Sequence, residues 1–466
     1  MLRFQQSDNT TADHIQPAIA AMMQRLAALG VNLHGFSLVY KGEVLAERYY
    51  QPFCAHTPHR MYSAAKTLTG IGIGVLARAG AVAPDDAVCG YFPKECGANP
   101  HPYTAMTTIR DLLTMTSPHS STTFKRYDGS WVESFFRLAP DHVPGTVFAY
   151  DTSATHVLGA LIEKLSGMEL AAYLNAAAFS PLELSSSFRF LKDPYGVSKG
   201  GSGLMGTLRD FVKIAWLLTS GGVWGGTPLL PMGFVEQAAA KQVPTDFLPM
   251  PEERHGYGWQ VWRTRKNGFV LYGMGGQLAF CLPEDGLTFV TIADTIASFT
   301  GVHDIHRAFW ELIYPCVTGY TPHAAAAASP SVLTVNGRAD SPLLAQINGR
   351  HCRMDSNSWG LEALRFSFGE GEGCLEAAIS GEPYLIPFGF GRAVSGSLRG
   401  IPLLSSGGWL SDSTLGVRVS FVGEELGESI ITVGFRGQHL TAFARQSGEY
   451  AAKFPKGYVS GEMVSP

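Results

Sequence analysis

Ser63 and Lys66 stand three residues apart in Ser63-Ala-Ala-Lys66, the one Ser-x-x-Lys of the chain. The residues that follow, Thr67 to Ala79, are almost wholly apolar or small and end at Gly80. A helix that is apolar on every side is a buried one. Residues three apart share a helix face, so the Lys66 amine can reach the Ser63 hydroxyl. Burial disfavours the ammonium, and a neutral amine beside a serine can serve as its general base. Ser63 at the helix start also offers a backbone N–H to an oxyanion. The chemistry these two residues allow is acyl transfer through a serine ester. A second serine competes for the role. Gly196-Val-Ser198-Lys-Gly200 fits G-x-S-x-G, but a nucleophile elbow needs a strand before it and a helix directly after. Asp193-Pro194-Tyr195 precedes Ser198 and Gly200-Gly201 follows it, which reads as a loop.

Context adds to the Ser63 reading. Tyr62-Ser-Ala-Ala-Lys-Thr67, with Leu76-Ala-Arg-Ala-Gly80, Asp85-Asp86-Ala-Val88 and Tyr91-Phe-Pro93, resembles the serine β-lactamase/penicillin-binding-protein superfamily. It looks most like the branch of class C β-lactamases, D-aminopeptidases and related esterases. The likeness continues in order through Ile109-Arg-Asp-Leu-Leu-Thr-Met-Thr-Ser117, Pro144-Gly-Thr-Val-Phe-Ala-Tyr150-Asp-Thr and Gly201-Ser-Gly-Leu-Met-Gly, as far as Gly273-Met-Gly-Gly-Gln277. It covers roughly residues 12–315.

The resemblance implies roles. Tyr150 matches the tyrosine of the second motif and would relay a proton between Ser63, Lys66 and the leaving group, its pKa lowered by the nearby ammonium. Thr152 stands where that family often has Asn, and can still hydrogen-bond Lys66 or substrate. Gly273 to Gln277 falls on the strand that bears the third motif. Gly275 and Gly276 keep that strand edge open to substrate. The backbone N–H of Gln277 matches the second oxyanion donor. Met274 departs from the pattern, because the family has Lys or His there, a cation that helps hold a substrate carboxylate. Acyl chemistry survives that change, whereas recognition of a carboxylate is in doubt, and with it β-lactams or D-Ala-D-Ala ends as substrates. The expected partner is a small ester or amide, with neither metal nor organic cofactor. Two other classes stay open: an acyltransferase or peptide cyclase of penicillin-binding-protein type, and a non-catalytic ligand-binding protein on the same fold.

The elements that must position these residues follow from periodicity. Ile15, Ile19, Met22, Leu26 and Leu29 mark one face of a helix over residues 15–29, stopped by Gly30. Residues 36–40 and 43–50 alternate around Lys41-Gly42 as a hairpin. Helical patterns fill 64–80, 108–116, 131–138, 153–166, 169–178 and 207–221. Strand patterns return at 257–264, 268–273, 277–282 and 287–294, and a last helix over 301–314 ends before Pro315. Strands at both ends with helices between them predict one α+β unit: an antiparallel sheet with flanking helices and a helical subdomain. The small-residue stretch 318–332 is the expected linker between residues 1–317 and 333–466. Beyond it, short apolar runs at 375–379, 417–421, 430–435 and 440–443 between Gly-rich turns predict a small antiparallel β-barrel. In relatives with such an extension the domain resembles a lipocalin-like barrel packed near the active site. Here it would shape substrate access, stabilise the protein or support a homo-oligomer.

Composition narrows the classes further. The chain has 466 residues, too many for one core. Its net charge is −4 and it has no Lys/Arg block, which argues against a nucleic-acid partner. No apolar run is long enough to span a bilayer, and polar residues fill positions 5 to 14, so the expected location is cytoplasmic, with no membrane partner. The seven cysteines are scattered without a C-x-x-C and read as reduced thiols. His303 and His306 have metal-like spacing, but a structural or exposed role suits them better. Trp259 and Trp262 either line a pocket or pack a core.

Overall fold

The structure is a computed structural model and describes residues 2, 4, 10–320, 334–422, 427–448 and 456–464. A seven-stranded antiparallel sheet forms from two distant parts of the chain. Its order is Thr10–Thr11, Glu43–Tyr49, Asn32–Tyr40, Leu287–Asp294, Leu278–Leu282, Phe269–Tyr272, Trp262–Arg263. The halves join where Asn32–Tyr40 pairs with Leu287–Asp294. Both faces of the sheet are covered, so its central strands are buried along nearly their whole length. Phe280 and Phe289 point to one side, where they meet Ile19 and Met22 of the helix Gln16–Ala28 together with Phe309 and Trp310. Ala279, Cys281, Val290 and Ile292 point to the other, onto the helices Ala65–Arg78 and Leu208–Thr219. The period-2 alternation of the strands thus separates two layers of helix.

Several boundaries differ from the sequence expectation. The first helix stops at Ala28, and Leu29, expected on its buried face, turns outward with 40% of its surface exposed. Of residues 257–264 only Trp262–Arg263 pairs as a strand, because Gly256 (φ +99°) and Gln260 (φ +59°) bend the chain out of ladder geometry. The last helix does not end before Pro315. It runs from His303–Ala308 through a π-turn, Phe309–Ile313, into Tyr314–Thr318. Pro315 lies in the first turn of that final piece, directly after the π-turn. The expectation of seven reduced thiols is also corrected. A 3₁₀ turn over Val88–Gly90 and the short helix Pro93–Cys96 bring Cys89 and Cys96 to a Cα separation of 5.6 Å, and they form a disulfide.

Beyond the linker expected over 318–332, of which only residues 318–320 fall among those described, the chain forms a closed nine-stranded barrel. Neighbouring strands pair antiparallel around the ring. The seam differs, because Glu382–Phe390 meets Ile401–Trp409 in a parallel pair, Gly389 opposite Ser406. A further strand, Val394–Leu398, lies outside the ring. Closure leaves no long free edge. Trp409, Phe366, Phe388 and Phe435 pack the interior. The barrel abuts the segment that leads to Tyr150. Ser460 Oγ accepts from Val143 N–H at 3.0 Å, Thr146 Oγ1 donates to Thr441 Oγ1 at 2.8 Å, and Arg436 Nη1 donates to Pro144 O and to Asp111 Oδ2, both at 2.9 Å. Gly434 lies flat against this segment: a Cβ there would sit 1.8 Å from the Thr146 carbonyl oxygen.

Candidate active site

Ser63 sits in a 3₁₀ turn, Tyr62–Ala64, that feeds directly into the helix Ala65–Arg78. The residue before it is strained. Tyr62 has φ +45°, a left-handed conformation that a bulky side chain adopts only at a cost of roughly 1–3 kcal/mol. Surrounding contacts hold it there. The Arg60 guanidinium lies 4.8 Å from the Tyr62 ring centre, Arg60 Nε donates to Ser202 O at 2.9 Å, and Met61 N–H donates to Leu204 O at 2.8 Å.

Lys66, one turn along, is wholly buried. Its Nζ donates to Ser63 Oγ at 3.3 Å, Thr152 Oγ1 at 3.2 Å and Gly201 O at 2.7 Å, and lies 4.9 Å from the centre of the Tyr150 ring. Three acceptors match the three donors of an ammonium. Burial nevertheless lowers the amine to about 7, opposed by the Asp151 carboxylate. Gly201 is required for this approach, since a Cβ would lie 2.7 Å from Thr152 Cγ2.

Tyr150 differs from expectation in one respect. The nearby ammonium was expected to lower its phenol, but the phenol is pushed up to about 12. Tyr150 keeps some surface on the cleft, yet the atoms crowding it make desolvation the largest effect. Hydrogen bonds with Ser63 and Trp262 lower it by less. Trp262 stacks on Tyr150 at 5.6 Å, and Tyr257 and Phe148 complete an aromatic wall. Trp259 instead packs in the core against Phe234.

Two residues that sequence reasoning missed support this arrangement. Asp151, fully buried, caps the helix Thr152–Ser166. It accepts from Ser153 N–H at 2.8 Å, Ala154 N–H at 3.3 Å and Ser117 Oγ at 3.1 Å. Burial pushes its carboxyl up to about 6. An Asp directly ahead of an apolar helical pattern is a readable cap signal. Gln260 has no such signal. It is buried at positive φ and joins three segments: its carbonyl accepts from Thr67 Oγ1 at 2.8 Å, its Oε1 from Thr155 Oγ1 at 2.7 Å, and its Nε2 donates to Leu112 O at 2.7 Å.

The third motif is a turn, not part of a strand. Phe269–Tyr272 ends before it and Leu278–Leu282 begins after it, with Gly276 at φ +92°. Gly273 N–H donates to Gln277 O at 2.8 Å across the turn. The Gln277 side chain locks it, accepting from Gly275 N–H at 3.1 Å and donating to Ala293 O at 2.8 Å. Gly275 and Gly276 therefore shape a loop rather than an open strand edge. The turn lies beside the segment that leads to Ser63, since a Cβ on Gly273 would sit 2.6 Å from Met61 O. Met274 projects outward, 70% exposed.

Ser198 is buried in an irregular segment, its carbonyl accepting from Gly200 N–H at 2.7 Å, with no strand-turn-helix around it. His303 Nε2 is 3.4 Å from Tyr272 OH and 3.7 Å from Glu253 Oε1, and His306 Nδ1 is 3.9 Å from Glu252 Oε2. The fold supplies carboxylates that are remote in sequence, but among the described residues no group of three or more such side chains is arranged to hold a metal ion.

Comparisons with known proteins agree with this geometry at the level of family and fold. The model of the Beta-lactamase family matches residues 15–295. A 6-aminohexanoate-dimer hydrolase of Paenarthrobacter ureafaciens is 24% identical over 279 residues, 55% of this chain and 71% of the relative. Among solved structures, a putative β-lactamase from Bacteroides dorei superposes with a TM-score of 0.55 at 21% identity, over 65% of this chain and 99% of its own. An octameric penicillin-binding protein homologue from Pyrococcus abyssi superposes with a TM-score of 0.53 at 14% identity, over 95% of this chain and 99% of its own.

Proposed function

The chain belongs to the Beta-lactamase family, and on that premise we propose that it is a serine acyl-hydrolase acting on a small ester or amide through an acyl-enzyme on Ser63. One observation carries the reading: a fully buried lysine, lowered to about 7, lies 3.3 Å from a serine hydroxyl. Near neutral pH about half of such a lysine is free amine, as a general base requires. Lys66 takes the Ser63 proton as Oγ bonds to the substrate carbonyl carbon. The oxyanion that forms is held by the N–H groups of Ser63 and Gln277. Tyr150, protonated at neutral pH, gives its proton to the leaving group as the carbonyl–leaving-group bond breaks. Lys66, beside its ring, returns the Ser63 proton to the phenolate. Water then repeats the sequence on the ester, losing its proton through the same groups, and restores Ser63.

Thr152 holds the Lys66 amine toward Ser63, and Asp151 holds Thr152 by capping its helix. This reading is favoured over a purely ligand-binding one because the buried amine is poised on the serine, an arrangement that binding alone does not need. Steady-state hydrolysis of p-nitrophenyl acetate tests it. Ser63→Ala and Lys66→Ala each lower kcat/KM by at least about a hundredfold, whereas rates equal to wild type in either variant would overturn it. The same reaction with an added amine reads whether water or the amine takes the acyl group.

A further inference from the structure

The loop after the strand Leu287–Asp294 is turned inside out. Its polar side chains face the protein. Ser298 Oγ donates to Asp304 Oδ2 at 2.5 Å and Thr300 Oγ1 to Asp304 Oδ1 at 2.6 Å, and Asp304 itself is buried. Backbone bonds fix the loop further: Ile296 N–H donates to Asp294 Oδ1 at 2.9 Å, Ser298 N–H to Thr295 O at 3.0 Å, and Gly301 N–H to Ser298 Oγ at 3.0 Å. Its two large apolar side chains, Ile296 and Phe299, are 89% and fully exposed. Surface loops ordinarily show the reverse, and large apolar side chains grouped outward on one fixed loop are a candidate binding surface.

This loop packs against the third-motif turn. Thr295 Oγ1 donates to Met274 O at 3.4 Å, and a Cβ on Gly276 would meet Ala293 at 2.9 Å and Thr295 at 3.1 Å. Met274 is exposed too, at the position where the resemblance puts the cation that holds a substrate carboxylate. Residues 273–277 and 294–301 contain no lysine or arginine, and Asp294 adds a negative charge. Neither segment therefore supplies a cation to pair with a carboxylate, and Asp294 would repel one.

We infer that Met274, Ile296 and Phe299 form a platform for an uncharged apolar group of the substrate, such as an alkyl or acyl chain, in place of a carboxylate subsite. The inference rests on the acyl-hydrolase reading for the identity of the site, and narrows its substrate class to neutral apolar esters or amides. Burying the chain against the platform favours a neutral substrate over its acidic analogue by the apolar area covered and by the carboxylate left unpaired.

A matched pair of esters tests it: p-nitrophenyl hexanoate and the mono-p-nitrophenyl ester of adipic acid, equal in chain length but differing in a terminal carboxylate. Acetate is run beside them. The wild-type ratio of kcat/KM, hexanoate over adipate, is expected to be about tenfold or more. It falls toward unity in Phe299→Ser, and Met274→Lys moves it toward adipate. Turnover of acetate with a ratio near unity in wild type, or a ratio unchanged in both variants, overturns the platform and leaves the hydrolase reading intact. No Ser63-dependent turnover of any ester would remove the hydrolase reading instead. The platform is then judged by calorimetric binding of hexyl phenyl ketone, which must weaken at least about fivefold in Phe299→Ser; unchanged or absent binding overturns it. An oligomer that dissociates in Phe299→Ser while the ester ratio holds assigns the patch to a second copy of the chain and overturns the substrate role.

Discussion

Asp151 and Lys66 are both buried and act on each other through space: the Asp151 carboxylate strengthens the hold of Lys66 on its proton, against the burial that weakens it. Lys66 must be neutral to accept the Ser63 proton. Under the proposed mechanism activity is expected to be absent while the amine is charged and to rise with pH through about 7. Asp151→Asn removes the opposing charge, so the rising limb moves to lower pH. The pH dependence of kcat/KM for p-nitrophenyl acetate checks both statements; a limb that moves upward in Asp151→Asn contradicts them.

Tyr150 is held protonated, at about 12, because its phenol is desolvated. In the proposed mechanism its contribution lies in giving a proton to the leaving group. A p-nitrophenolate leaves without one, and an alkoxide does not. Tyr150→Phe is expected to slow ethyl acetate hydrolysis at least about tenfold more than p-nitrophenyl acetate hydrolysis. Equal losses on the two esters contradict the assignment.

Gln260 ties the helix Ala65–Arg78, the helix Thr152–Ser166 and the Leu112 carbonyl together at a strained φ. Gln260→Ala leaves Thr155 Oγ1 and Leu112 O to find other partners in a dry interior. The expected cost is about 2–3 kcal/mol, read by urea unfolding. A change below about 0.5 kcal/mol would show that the bonds carry little.

Gly434 gives the barrel its close approach to Thr146, four residues before Tyr150. Gly434→Ala pushes a methyl group into a backbone carbonyl and must displace either the barrel strand or the irregular segment around Thr146. A loss of about 1–3 kcal/mol is expected, together with a reduced kcat, because the segment carrying Tyr150 shifts with its support. Thermal unfolding and ester hydrolysis measured together check this. A wild-type Tm and rate would separate the barrel from the site.

The parts of the fold that were legible in the sequence are those set by local pattern. Ser63 and Lys66 meet because helical spacing alone brings them together, and the sheet was readable because its strands are short, apolar and bounded by Gly, Pro and Asp. What could not be read depends on tertiary partners. Tyr150 was expected to be acidified by an ammonium, yet burial raises it, and the aromatic wall it packs against includes Trp262, far on in sequence. The turn at 273–277 reads as strand because nothing local reveals the Gln277 side chain bonding back to Gly275 and across to Ala293. Asp151 carried a visible cap signal, but its effect on Lys66 required the two helices to be packed.

The most direct test of Ser63 as nucleophile is intact mass analysis of the protein quenched during p-nitrophenyl acetate turnover, followed by peptide mapping. The account predicts one acetyl group on the peptide containing Ser63, present in wild type and in Ser198→Ala and absent in Ser63→Ala. An acetyl group that persists in Ser63→Ala, or one that disappears in Ser198→Ala, would contradict it.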